Sequence, residues 1–274
     1  MKRLIYRAAT VLSFTALLLG CSLGITAQTK LEAQQWQVRA RTTADDTKQA
    51  RLVILDAIYA GQTVVVADAY EDALKEKPAD QVRIASFAWA AMVAERYTPD
   101  RQNPELDRLA GRAVHVVEPI VYHSSVAGTV KERQEYLAFR PTKEPLAWLV
   151  WGHYLARFCF DKGEADKAYK HALALDPNLA EAYFDAARMV VSPYDAAYFK
   201  THRDLALAQL DKSERLQPKL HPLVVGSRAD IAMASKQYKT AAKGMREYLA
   251  LWPGMPLANE TRKLIVELEA AGGQ

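Results

Sequence analysis

The residues able to do chemistry are few and scattered. Six histidines, His115, His123, His153, His171, His202 and His221, stand apart, and none pairs with another His, Cys or acid at a spacing that suits a metal ion. His123 lies beside Ser124 and Ser125, a combination that could in principle activate a hydroxyl for hydrolysis. It lacks a third orienting group and a nucleophile elbow. There is no Gly-rich phosphate loop and no His-Glu-x-x-His. No residue set argues for catalysis, no cofactor is implied, and no metal site is expected. Cys159 sits in Phe158-Cys159-Phe160 and reads as a small buried hydrophobe late in a helix.

The other reactive position is Cys21. Lys2, Arg3 and Arg7 precede a short apolar run, Val11 to Leu19, and Gly20-Cys21 follows at once. This is the layout of a secretory signal, and the run is too short to span a bilayer. Leu18-Leu19-Gly20-Cys21 resembles the bacterial lipobox, with an aliphatic residue three places before Cys and a small one just before it. The resemblance implies that Cys21 becomes the first mature residue and carries acyl chains. Ser22 follows it rather than Asp, which in Gram-negative lipoproteins goes with the outer membrane. Cleavage after Ile25-Thr26-Ala27 stays open as the alternative, and would release a soluble secreted or periplasmic protein.

Removing the signal changes the charge reading. Lys2, Arg3 and Arg7 are three of the 36 basic residues, and the first twenty positions hold no acid, so 33 basic residues face 32 acidic ones in the remainder. The basicity belongs mostly to the export signal, and no nucleic-acid partner is implied. The expected organisation is a signal peptide over 1–20, a flexible polar tether over 21–46 and a helical domain over 47–271.

That domain is Ala-rich and carries a recurring pattern. Gly61, Val66, Tyr70, Ala73 and Pro78 mark a turn, a helix with Tyr and Ala on one face, and a terminating Pro. Tyr169, Ala172 and Ala174-Leu175-Asp176-Pro177 repeat it, preceded by Trp148, Gly152 and Leu155. Ala182, Tyr183 and Ala187 begin another unit, and Tyr238, Ala241, Met245 and Pro253 a further one, with Tyr248 where Ala is usual. These offsets resemble those of the tetratricopeptide repeat (TPR), whose period is roughly 34 residues. The resemblance implies an all-α, TPR-like right-handed helical solenoid of about five helix pairs, with a C-terminal capping helix over Glu260 to Ala271. An irregular helical solenoid of another kind is the alternative.

Pro78, Pro119, Pro177, Pro218 and Pro253 lie 41, 58, 41 and 35 residues apart. The excess over the repeat length predicts insertions at Tyr97–Asn103, Ile120–Pro141 and Ser192–Lys200, the middle one holding a short helix, Val130 to Phe139.

In this family the first helix of each pair lines a concave groove. Helical phase then assigns Arg51 and Tyr59, Trp89 and Met92, His153 and Arg157, and Phe184 and Arg188 to that groove. The expectation is a membrane-tethered scaffold that binds another envelope protein or a peptide segment of one, its arginines pairing with partner carboxylates. As the open alternative, the arginines stand solvated or paired with local acids such as Glu181 and Asp185. Two other functions stay open. One is an envelope enzyme, or an accessory subunit of one, with its site in the 120–141 insertion. The other is a peptidoglycan or carbohydrate binder using Trp89, Trp148 and Trp151.

Overall fold

A computed structural model describes residues 29–98, 103–121, 141–191 and 196–273. Among the described residues the chain is all-helical, with 12 α-helices, one 3-10 turn and no strand. They are α1 (29–43), α2 (Thr47–Ala60), α3 (Thr63–Glu76), α4 (Gln81–Tyr97), α5 (Pro104–Val121), α6 (Pro145–Arg157), α7 (Lys162–Leu175), α8 (Ala180–Val190), α9 (Ala196–Leu216), α10 (His221–Ala234), α11 (Tyr238–Leu251) and α12 (Ala258–Gly272). The 3-10 turn, Pro218–Leu220, leads into α10.

Local chemistry sets many of the boundaries. Asp46 caps α2 by accepting from the amides of Lys48 and Gln49, and Gly61 closes it at φ 67°, where glycine costs least. Asp80 caps α4, and Asp161 caps α7 by accepting from the Glu164 amide at 3.0 Å. Helix α6 ends differently. The Asp161 amide reaches back to the Leu155 carbonyl at 3.0 Å, and Phe160 takes the left-handed position at φ 54°. Glycine normally serves there, and a side chain with a Cβ costs about 1–2 kcal/mol.

Neighbouring helices pack as pairs: α6 with α7, α8 with α9, α10 with α11, and α11 with α12. Glycine brings two of these pairs close. A Cβ on Gly152 of α6 would lie 2.7 Å from Cε1 of Tyr169 on α7, and one on Gly226 of α10 would lie 2.9 Å from Cε1 of Tyr248 on α11. Tyr248, which departs from the usual Ala, therefore fills the space above a glycine. Helix α4 is the centre of the N-terminal half, touching α2, α3, α5 and α6. Thirteen of its 17 residues are buried, so it has no solvent face. The core is continuous from Ala40 to Trp252, and a smaller cluster joins α10, α11 and α12 around Met245, Ile265 and Leu268.

Three features differ from expectation. Residues 29–43 form a helix where a tether was expected. Trp36, Ala40 and Ala44 recur at helical spacing; Ala40 and Ala44 are buried and Trp36 packs against the core. Thr43 shares a 2.8 Å hydrogen bond with the Tyr70 hydroxyl, and Arg39 pairs with Asp56. The Gln- and Thr-rich composition hid this sparse apolar stripe. Pro119 lies inside α5 rather than at its end. Residues 196–200, expected in an insertion, are the first turns of α9. The C-terminal helix lies within two residues of the span expected for it. The signal, Cys21 and residues 122–140, with the expected short helix and His123, Ser124 and Ser125, lie outside the described residues, as do 99–102 and 192–195.

The Gly152 contact predicts a sign reversal between two Gly→Ala changes in helices. Gly152→Ala drives a methyl into a buried tyrosine ring and lowers stability by about 1–3 kcal/mol. Gly111→Ala on α5 meets nothing within 4 Å, so it raises stability by roughly 0.5–1 kcal/mol through helix propensity. Chemical denaturation of both variants checks this.

Candidate functional site

The eight residues assigned to a groove do not line an open one. Met92 is fully buried, and Trp89, His153 and Phe184 are almost so. The cause is the packing around α4: phase separates two faces of a helix, but both faces of this one are covered. At Trp89, Met92, His153 and Phe184 the expected solvent-lined groove is therefore a packed interior, while Arg51, Tyr59 and Arg188 are partly buried and Arg157 is exposed.

Charged groups tie that interior together over long sequence distances. Arg51 on α2 donates from Nε and Nη2 to the two carboxylate oxygens of Glu181 on α8, at 3.1 and 2.5 Å, and Asp176 lies 3.6 Å from its Nη1. Glu181 is 1% exposed, so the pair is desolvated on the acid side. Tyr59, also on α2, donates to the Lys219 carbonyl at 2.5 Å. Its ring meets Trp252 edge-on at 5.3 Å. These two residues join α2 to chain 130 and 160 positions away.

The deepest polar cluster is Arg96, His153 and Asp185. Arg96, in the last turn of α4, donates to Asp185 Oδ1 on α8 at 2.5 Å and also to Nδ1 of His153 on α6. With Nδ1 accepting from a guanidinium, the imidazole is neutral and its proton sits on Nε2. Asp185 Oδ2, 3.5 Å from Nδ1, then receives no hydrogen bond. Burial and the Arg96 charge hold His153 below the usual histidine range. Burial alone would raise Asp185, but the Arg96 charge keeps it below the usual carboxylate range. The cluster braces three helices around one cation, and its imidazole is shut off from solvent.

Arg188 donates to the Tyr97 hydroxyl at 3.2 Å and lies 5.7 Å from the Phe184 ring centre. Asp230 faces it from α10, raised by burial against the pull of Arg188. Arg157 is half exposed and pairs with Glu95 at 3.3 Å. Two of the groove arginines, Arg51 and Arg157, thus hold carboxylates of this chain, with Arg51 on Glu181.

Glu181 and Asp185 read from the sequence as local acids able to pair with the groove arginines, whereas Arg96 was not expected at the site. Glu181 and Asp185 stand four apart in Ala180–Val190, on a face otherwise apolar, and acids so placed signal buried ion pairs. Arg96 gave no such signal, because it ends a helix beside an expected insertion.

Cys159 is exposed, contrary to expectation, because α6 stops at Arg157 and the left-handed Phe160 turns the chain outward. Among the described residues no three His, Cys, Asp or Glu are placed to hold a metal, and no helix is long and apolar enough to cross a membrane. An accessible depression of about 560 Å³ opens where α2 meets the 3-10 turn and the end of α11, lined in part by Asp56, Tyr59, Lys219, Leu251 and Trp252. Tyr59 is the one groove residue that reaches it.

No family model matches the chain, and no curated protein or solved structure matches it.

Two measurements test the interior. Arg51→Met strands a buried carboxylate and costs about 3 kcal/mol, most of it regained in Arg51→Met/Glu181→Gln. For pH, the unfolded chain takes up a proton on His153 below about 6.5, and the folded chain takes it up only at lower pH. Stability therefore falls as pH drops from 7 to 5, by at most roughly 1.4 kcal/mol per unit from this group. Asp68, raised to about 6 by burial first and then by Glu105, works in the opposite direction, losing its contribution as pH rises. His153→Asn isolates the histidine share: its denaturation midpoint changes less between pH 7 and 5 than that of the wild type.

Proposed function

We propose that this chain is an exported, lipid-anchored, TPR-like scaffold that binds a segment of another protein of the bacterial cell envelope. In this reading Cys21 carries the anchor, on the periplasmic side of the outer membrane if the cell is Gram-negative, and the helix pairs form a tightly wound right-handed solenoid. The adjacent-pair packing supports the repeat reading, as do the Gly152–Tyr169 and Gly226–Tyr248 contacts, which place small residues against rings between paired helices. The burial of Trp89, Met92, His153 and Phe184 favours a binding surface outside the concave groove.

The observation that carries the binding proposal is the depression beside Tyr59. It joins an apolar floor, Trp252 and the 41%-exposed Leu251, to a charged wall where Lys219 and Asp56 pair. An apolar floor with a polar edge suits a short amphipathic segment: the floor holds one side chain and the edge orients the backbone.

Photo-crosslinking in native membranes tests this. A photoreactive phenylalanine in place of Leu251 should give a discrete adduct to an envelope protein. The same group in place of Val266, exposed on α12, should give none. Equal adducts from both positions, or none from Leu251, overturn the assignment.

A further inference from the structure

We infer that the turn joining α6 to α7 is a membrane-contacting tip, with Phe158 and Phe160 entering the headgroup layer of the bilayer that holds the Cys21 anchor. The inference rests on the lipid-anchor reading proposed above.

The first observation is the tip itself. Trp151 and Tyr154 stack at 5.3 Å between ring centres, and Tyr154 and Phe158 at 5.8 Å, both pairs tilted by 29°. The ladder rises out of the fold: Phe158 is 42% exposed and Phe160, beyond it, 75%. Phe160 holds the left-handed conformation that glycine would take without strain. A strained backbone that presents an uncovered aromatic ring gives the folded protein nothing in return, which points to a use outside it. Arg157, half exposed, borders the turn while pairing with Glu95, the Lys162 ammonium is buried over the Tyr198 ring, and Asp161 is occupied in capping α7. Two exposed rings at the end of an aromatic ladder match the chemistry of a lipid–water interface, where apolar parts sink below the headgroups.

The second observation is where the anchor must lie. The Thr63 hydroxyl, at the start of α3, is 3.2 Å from that of Thr98 after α4. Glu95, near the end of α4, receives Arg157 from the end of α6. The α2–α3 turn, the end of α4 and the α6–α7 turn therefore share one edge. Helix α1 folds back along α2, since Arg39 reaches Asp56 late in that helix. Residue 29 lies ten positions further back, about 15 Å along the helix axis, which brings it to the same edge. Cys21 is eight residues before it, and eight extended residues span at most about 28 Å. An anchor on so short a leash holds this edge, with its two phenylalanines, against the lipid. Reach favours lipid over a protein partner or a second copy.

Cys159 supplies its own probe, as an exposed thiol between the two rings. Full-length protein is purified from membranes, labelled at Cys159 with a polarity-sensitive fluorophore and reconstituted into phosphatidylethanolamine–phosphatidylglycerol vesicles with and without headgroup spin-labelled lipid. Mass spectrometry of the N-terminal peptide reports the anchor separately. A label at Ala79→Cys, in the turn at the other end of α3, serves in a Cys159→Ser background as the water-facing control. The expected result is a blue-shifted Cys159 signal, quenched at least twofold more by the spin-labelled lipid than the control. Phe160→Gly, which relieves the left-handed strain, should melt no lower than the wild type yet lose most of that quenching. An acylated Cys21 with equal, weak quenching at both positions overturns the tip and leaves the anchor standing. If Cys21 is not acylated, the soluble protein is titrated with the same vesicles, and no shift at Cys159 overturns the tip. A blue shift without lipid quenching assigns the tip to a protein or a second copy and likewise overturns it.

Discussion

The grip of Arg51 on Glu181 decides what kind of object this stack of helix pairs becomes. Two parallel hydrogen bonds to one nearly unexposed carboxylate hold the first pair against chain 130 positions later. A row of helix pairs that touch only their neighbours leaves an open side. Here that side is bridged by the Arg51–Glu181 pair, by the Tyr59 hydroxyl on the Lys219 carbonyl, and by the Trp252 ring against both Tyr59 and Tyr97. The same closure that braces the fold removes the surface a groove binder would have used.

Closure also explains the interior charges. Once the open side is covered, each polar group there must find its partner inside, because an unpaired buried charge costs several kcal/mol. Arg96 answers this for two neighbours at once, reaching Asp185 and His153 from the end of α4. The histidine can stay neutral because the guanidinium beside it already supplies the positive charge that Asp185 requires.

Helix content, the pairing and most turns were legible because they are local: Asp46, Asp80 and Gly61 announce helix ends through their own hydrogen bonds and dihedrals. Burial of Tyr70, Tyr169 and Ala172 followed from spacing alone. The site was not legible. Phase identified Arg51, Tyr59, His153 and Arg188 as one inward-facing set, but inward-facing means solvent-lined in an open stack and packed in a closed one, and the distinction depends on curvature summed over several pairs. Trp89 and Met92 failed as groove residues for that reason, since nothing within α4 records how many helices surround it. The helix over 29–43 was hidden by composition, its buried stripe being little more than one tryptophan and two alanines.

Closure has a consequence for how the molecule unfolds. In a linear array each pair adds its own stability and its interface to the next, and ends fray independently. Bridges between positions 51 and 181 and between 59 and 219 make the loss of α2 a loss for α8 and the 3-10 turn as well, so residues up to Trp252 share one cooperative fate. Helix α12 stands outside that circuit. It packs on α11 through Ile265 and Leu268 in the smaller cluster, with Val266 exposed between them. Its local opening therefore requires none of the long-range bridges to break, and hydrogen exchange in α12 follows a lower free energy than exchange in α4, where burial is complete on every side.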